Sequence, residues 1–120
     1  ALESLGGNMR LGGKDVVLVR GTKAHTLYGK GVIRERFRHR YECNPDYIAT
    51  FEKHGIVFSG KAPDQPIMQI LELKNHPFFM ATQFHPEFTS RPLTPAPLFC
   101  GFIEAILKKT THKFSHNTEP

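Results

Sequence analysis

An α/β fold is predicted for this chain by the order of its elements and by its composition. Short apolar runs typical of strands are mixed with segments of helical spacing, which is the pattern of an α/β domain. Of the 120 residues, 39% are hydrophobic and 22% are charged, as in a folded rather than a disordered chain. A chain of this length makes one small domain or part of a larger one.

The first elements are predicted to follow a glycine-rich loop. Residues 5–13 include four glycines and predict a loop with a short extended piece inside it. Residues 16–19 form an apolar run typical of a strand, and residues 24–28 predict a helical turn that Gly29 and Gly31 end. Because the chain opens directly in a loop, we expect it to be a piece of a longer protein.

The later elements are predicted to be one short helix, three strands and a final helix. Asn44 before Pro45 is typical of a helix start, with Asn at the N-cap and Pro at the first helical position. Gly55 is expected to end that helix. After a proline-rich loop, Leu98 and Phe102 lie on one face of the final helix. Strands are predicted over residues 56–59, 67–73 and 78–84, the last covered on both faces because it is almost entirely apolar.

Composition also bears on location and on possible partners. The domain is expected over residues 1–109, followed by a polar, disordered tail over residues 110–120. No signal peptide and no apolar stretch of membrane-spanning length occur, so we expect a cytoplasmic protein without a membrane partner. Cys43 and Cys100 lack CxxC spacing and are expected to be reduced.

The net charge of +5 is modest and is partly concentrated in residues 34–40. Along a strand, Arg36, Arg38 and Arg40 would point to the same face. One interpretation is a solvated edge strand protected by its charge. The other is that at least one of these arginines binds a carboxylate or a phosphate.

The sharpest local motif is His85-Pro86-Glu87, which follows the predicted strand over residues 78–84. A histidine there can act as a general base, and a carboxylate two residues away can hold its other ring nitrogen. The same triplet also occurs by chance. Zinc deaminases use H-x-E too, but they require a downstream P-C-x-x-C. That second motif is lacking, so no metal site is expected.

Together these segments resemble the CTP synthase family of class I glutamine amidotransferases. The resemblance covers roughly residues 1 to 107, in the family's order and with similar spacing. The HPE triplet occurs in class I glutamine amidotransferases generally, whereas the arginine-rich stretch and the residues after His85 narrow the resemblance to CTP synthases. The segments that carry it are residues 7–12, 35–44, 76–79, 83–92, 97–99 and 101–102.

The resemblance implies part of a flavodoxin-like class I glutamine amidotransferase domain whose nucleophile-bearing half is missing. It implies that His85 is the catalytic histidine, Glu87 its orienting acid and Arg40 a residue that holds the glutamine substrate. The family's nucleophile lies in a Gly-x-Cys-x-Gly elbow, and neither Cys43 nor Cys100 lies in such a motif. The chain alone is therefore expected to be inactive.

For the whole enzyme, the resemblance implies conversion of UTP to CTP with ATP and Mg²⁺, ammonia from L-glutamine, and activation by GTP. It implies no cofactor on this chain, upstream synthetase and amidotransferase segments as its partners, a homo-oligomeric enzyme, and no nucleic acid. Where Asn8, Phe37 and Cys43 stand, the family usually has Thr, His and a small aliphatic residue. The alternative is a non-catalytic basic module that binds nucleotides or nucleic acid, which would have no need of the HPE triplet.

Overall fold

Five strands form one sheet in the computed structural model, which describes the backbone of residues 6–115 and the side chains of residues 9–111. The strand order is β2-β1-β3-β4-β5, and every pairing among these strands is antiparallel. The α/β class is confirmed, while the parallel pairing typical of flavodoxin-like domains does not occur among these five strands. The elements are β1 (Gly6–Leu18), α1 (Lys23–Tyr28), β2 (Val32–Tyr41), α2 (Ile48–Lys53), β3 (Ile56–Lys61), β4 (Met68–Leu73), β5 (Met80–Thr82) and α3 (Pro97–Ser115).

The longest feature is the hairpin of β1 and β2. The predicted glycine-rich loop over residues 5–13 is wrong for residues 6–13, which belong to β1, while residue 5 lies outside the described residues. Pairing with β2 covers Gly6 and residues 10–13, with a register shift between Gly6 and Arg10, and it outweighs the low strand preference of glycine. Gly12 has a φ of 75° opposite Phe37, a conformation that glycine adopts without strain.

Alternation along β2 separates a buried face from a charged one. Ile33, Glu35 and Phe37 are buried, whereas the arginines between and beyond them are exposed. The prediction that Arg36, Arg38 and Arg40 share a face is therefore confirmed.

The main core lies on the face of the sheet that carries α1 and α3. Ile70 of β4 belongs to this core. Leu71, the next residue, pairs with Phe58, whose ring contacts Phe51 of α2 at 6.2 Å. Consecutive residues of a strand point to opposite faces, so α2 covers the other side. The buried core residues are Val16, Leu18, Ala24, Ile33, Phe37, Ile70, Phe84 and Leu98.

The helix starts follow the sequence closely. Asn44 caps a 3-10 turn, Pro45–Tyr47, through a hydrogen bond from the Asp46 amide, and this turn leads into α2. Gly55 follows that helix with a φ of 91°, and Gly29 closes α1 in the left-handed conformation.

The last strand is shorter than predicted. β5 covers only three residues of the span 78–84 and pairs with β4 alone at the end of the sheet. Ala81 of β5 is exposed, so the prediction that this strand is covered on both faces is wrong for this chain. Phe84 nevertheless forms an isolated bridge to Phe37 of β2, which brings the residues after β5 onto the far edge of the hairpin.

α3 extends past Thr110, where the polar tail was predicted to begin, and ends at Ser115. The hydroxyls of Thr110 and Thr111 donate to carbonyls one turn earlier, which continues the helical pattern. Residues 116–120 lie outside the described residues. The proposed division of the chain at residue 109 stays a prediction.

Candidate active site

His85 and Glu87, which the sequence predicts as a pair, lie in contact. His85 precedes a short 3-10 turn, Pro86–Phe88, in which proline occupies the first position. This turn reverses the chain so that Nδ1 of His85 lies 2.7 Å from Oε1 of Glu87. The Phe88 ring stacks on the imidazole at 5.0 Å between centroids. The side chains of His85 and Glu87 are 37% and 55% exposed, so the pair is open to a substrate or to another part of a protein.

Glu87 is held in its ionised form. The pKa of its carboxyl lies below its usual value, first because of a hydrogen bond from its own backbone amide and then because of the His85 side chain. An ionised carboxylate on Nδ1 keeps the second ring nitrogen, Nε2, as the reactive one. The pair therefore has the arrangement of a general base with its orienting acid.

Main-chain hydrogen bonds fix where this pair lies. The His85 amide donates to the Arg36 carbonyl at 3.0 Å, and the Gln83 amide donates to the Gln69 carbonyl at 2.9 Å. The Phe84 ring, between these two residues in sequence, packs edge-on against Phe37 at 5.8 Å. The histidine is thus attached to the sheet by its backbone, and its ring is free to face solvent.

A buried carboxylate beneath the turn was not predicted as part of the site. Glu35 is only 4% exposed. It accepts hydrogen bonds from the Tyr28 hydroxyl at 2.8 Å and the Thr89 hydroxyl at 3.1 Å. The sequence carries one signal of this role, because strand alternation puts Glu35 on the same face as Ile33 and Phe37. A charged group on such a face requires hydrogen-bonding partners.

Comparison with known proteins decides the family. The family model described as glutamine amidotransferase class-I matches residues 2–105. The chain belongs to the class-I glutamine amidotransferase family.

Relatives within this family are CTP synthases. The chain is 55% identical over 109 residues to the CTP synthase of Thermococcus kodakarensis, which covers 90% of the chain and 20% of that protein. It is 53% identical over 117 residues to the CTP synthase of Pyrococcus horikoshii, covering 97% of the chain and 22% of that protein. The chain therefore spans about a fifth of the length of the curated relatives that it matches.

A solved structure agrees with the amidotransferase fold. It is the glutaminase domain of Trypanosoma brucei CTPS with bound acivicin, which superposes with a TM-score of 0.79 at 35% identity. The match covers 84% of this chain and 40% of that one. The fold described above is thus part of a class-I glutamine amidotransferase domain.

Arg40 lies on the exposed face of β2, the strand whose Arg36 carbonyl accepts the hydrogen bond from the His85 amide. It is four residues beyond Arg36, which at strand spacing corresponds to about 13 Å. A small amino acid bound to an extended Arg40 side chain could reach along the strand over such a separation, towards the position of Arg36. Arg40 lies on β2 and His85 is hydrogen-bonded to the same strand, although the two residues are far apart in sequence.

A second polar cluster, which the sequence did not predict, anchors the end of β2 beside Arg40. The Glu42 side chain is 5% exposed. One of its oxygens accepts from Nε of Arg10 at 2.5 Å, and the other lies 2.9 Å from Nε2 of His39. The His39 contact is not aligned as a hydrogen bond, so we attribute the anchoring chiefly to Arg10, whose charge compensates the buried carboxylate.

Neither cysteine has the setting of an amidotransferase nucleophile. Both are free of disulfides. Cys43 lines a cavity of about 300 Å³ with mostly apolar walls, and burial raises the pKa of its thiol. Cys100 lies within α3. A nucleophilic cysteine requires instead a lowered pKa or an adjacent base.

Among the described residues, no group of three histidine, cysteine, aspartate or glutamate side chains is placed to bind a metal ion. Within the same part of the chain, no helix is both long and apolar enough to cross a membrane.

Proposed function

We propose that this chain is the C-terminal part of the glutaminase domain of a CTP synthase, and that it supplies the catalytic base and its orienting acid. The observation that carries this proposal is the 2.7 Å contact between Nδ1 of His85 and Oε1 of Glu87, on a turn bonded to the sheet. Its support is the family membership together with CTP synthase relatives at about 55% identity.

His85 would act through Nε2. It takes the proton of a cysteine thiol supplied by the rest of the domain, and the thiolate attacks the amide carbon of glutamine. The C–N bond then breaks while His85 returns the proton to the leaving ammonia, and a thioester remains. Water attacks the thioester with His85 again as the base, which releases glutamate and restores the thiol. Glu87 orients the ring and stabilises its protonated form at each step.

Arg40 would hold the α-carboxylate of glutamine. A guanidinium presents a planar set of donors that matches a carboxylate, and this contact would place the amide in line with the thiolate. Arg40 lies on the same strand as Arg36, whose carbonyl binds the His85 amide. This shared strand supports the role, because it fixes the distance between the groups proposed to act on the two ends of the substrate.

The remaining chemistry is assigned to parts of the enzyme outside this chain. There, ATP with Mg²⁺ would phosphorylate UTP, the ammonia would displace the phosphate to give CTP, and GTP would activate the glutamine reaction. A homo-oligomeric, cytoplasmic enzyme is part of the same proposal. We assign none of these sites to residues of this chain.

The test compares two nitrogen sources in the full-length enzyme. His85→Ala should lower glutamine-dependent CTP synthesis on the order of a hundred- to ten-thousandfold, the usual cost of removing a general base. Synthesis from added ammonia should survive, because it bypasses glutamine hydrolysis. If His85→Ala kept most of its glutamine-dependent activity, the proposal would fail.

A further inference from the structure

We propose that Glu35 is a positioning residue that acts on His85 through Thr89. This inference rests on the proposed function, because it names what holds the catalytic turn in place. It concerns a buried carboxylate that lies beneath the turn and, in the mechanism given above, neither contacts the substrate nor transfers a proton.

β2 holds both ends of the turn through neighbouring residues. At the entrance, the His85 amide donates to the Arg36 carbonyl at 3.0 Å. At the exit, the Thr89 hydroxyl donates to Oε2 of Glu35 at 3.1 Å. Within the turn, the Phe88 amide donates to the His85 carbonyl at 3.1 Å. The ring of His85 therefore sits in a segment fixed at two points on one strand.

The second oxygen of Glu35 has its own donor. Oε1 accepts from the Tyr28 hydroxyl at 2.8 Å. Burial, and then the hydrogen bond and negative charge of Glu35, raise the pKa of Tyr28, so that this hydroxyl stays a donor at neutral pH. A buried carboxylate is stable only with such partners, and together they fix its orientation beneath the turn.

Thr89 is the weaker point of this arrangement and so the best place to test it. Its hydroxyl also lies 3.1 Å from the Pro86 carbonyl, and one hydrogen cannot serve both acceptors fully. A carboxylate oxygen is a stronger acceptor than a backbone carbonyl. Replacing the hydroxyl by a methyl group of similar size should release the turn from Glu35 without opening a cavity.

The experiment uses the full-length enzyme with glutamine or ammonia as nitrogen source. Thr89→Val should lower the glutamine-dependent kcat about tenfold, below the roughly hundredfold that an ångström of misplacement can cost. The glutamine KM and the ammonia-dependent rate should stay within about twofold, and Thr89→Ser should restore kcat because it keeps the hydroxyl. Thr26→Val is the matched control, since that hydroxyl donates to the carbonyl of Thr22, the N-cap of α1, and lies far from the turn in sequence.

A second variant, at Glu35, tests the same link from its other end. Glu35→Gln removes the charge but keeps the shape, and it should lower the glutamine-dependent kcat by a similar factor. Combined with Thr89→Val, it should add little further loss, because both changes act on the same link between Glu35 and Thr89.

Three outcomes overturn the inference. Thr89→Val could behave like Thr26→Val, the two losses could multiply, or both nitrogen sources could fail together with a lowered melting temperature. His85→Ala in the same series separates the two proposals: if it retains glutamine use, the proposed function itself is wrong. If it loses glutamine use while Thr89→Val does not, only the role of Glu35 and Thr89 is wrong.

Discussion

The amide of His85 donates a hydrogen bond of 3.0 Å to the carbonyl of Arg36. This bond joins the HPE turn to the strand that carries Arg40, although the two segments are far apart in sequence. The positions of the proposed base, His85, and of the arginine proposed to bind glutamine are therefore set by the same strand. A change that shifts β2 should disturb both together.

The isolated chain should not hydrolyse glutamine. It contains the proposed base and orienting acid but no Gly-x-Cys-x-Gly elbow, and burial raises the pKa of the Cys43 thiol, which disfavours the thiolate. Release of glutamate from glutamine by the purified chain measures this directly. Activity that disappeared in Cys43→Ala or Cys100→Ala would show that the nucleophile lies within this chain after all.

Features that depend on near neighbours could be predicted from sequence. The alternation of β2 follows from the two-residue period of a strand, so the shared face of its arginines was correct. The contact between His85 and Glu87 depends on one short turn that proline helps to start, and a spacing of two residues was enough to suggest it.

Features that depend on distant partners could not be predicted in the same way. Residues 6–13 extend into a strand because β2 lies beside them, and glycine content alone indicates a loop. The sequence places Glu35 in a charged stretch but does not indicate its partners, because Tyr28 and Thr89 come from a helix and a turn elsewhere in the chain. The link between Arg10 and Glu42 likewise requires the register of the hairpin, which composition does not give.

Arg40→Ala in the full-length enzyme should raise the glutamine KM about ten- to a hundredfold. This range corresponds to the loss of one hydrogen bond to a charged group, about 1.5–3 kcal/mol. Arg34→Ala is the matched control on the same strand, because Arg34 forms an exposed pair with Asp15 at 2.9 Å. Steady-state kinetics with each nitrogen source would measure the effect, and equal losses with ammonia and glutamine would make Arg40 structural.

Gly60→Ala should destabilise the sheet, whereas Gly31→Ala should not. A Cβ at Gly60 would lie 2.7 Å from Cγ1 of Ile70 and 3.0 Å from Cγ1 of Val16, and both of these side chains are fully buried. Overpacking of this kind costs about 1–3 kcal/mol. A Cβ at Gly31 would meet nothing within 4 Å. The melting temperatures of the two variants provide the comparison, and equal values would show that the core around Gly60 can relax.

Glu87→Gln should lower glutamine-dependent synthesis about tenfold, less than loss of the histidine itself. The amide oxygen can still accept from Nδ1, but it cannot stabilise the protonated ring as a charge does. Glu104→Gln, an exposed change on α3, is the matched control and should have no effect.

The pH dependence of this loss distinguishes an ionised Glu87 from one that titrates during catalysis. The folded-state pKa of Glu87 is lowered, so its charge is fully present above the ordinary carboxyl pKa of about 4.3. The stabilisation that this charge provides is lost only as the pH falls through the lowered folded-state pKa. The difference between wild type and Glu87→Gln should therefore persist at every neutral pH. Rates measured from about pH 6 to pH 8 test this, and a difference that vanished near pH 6 would mean that Glu87 gains a proton there and is not the fixed charge that orients His85.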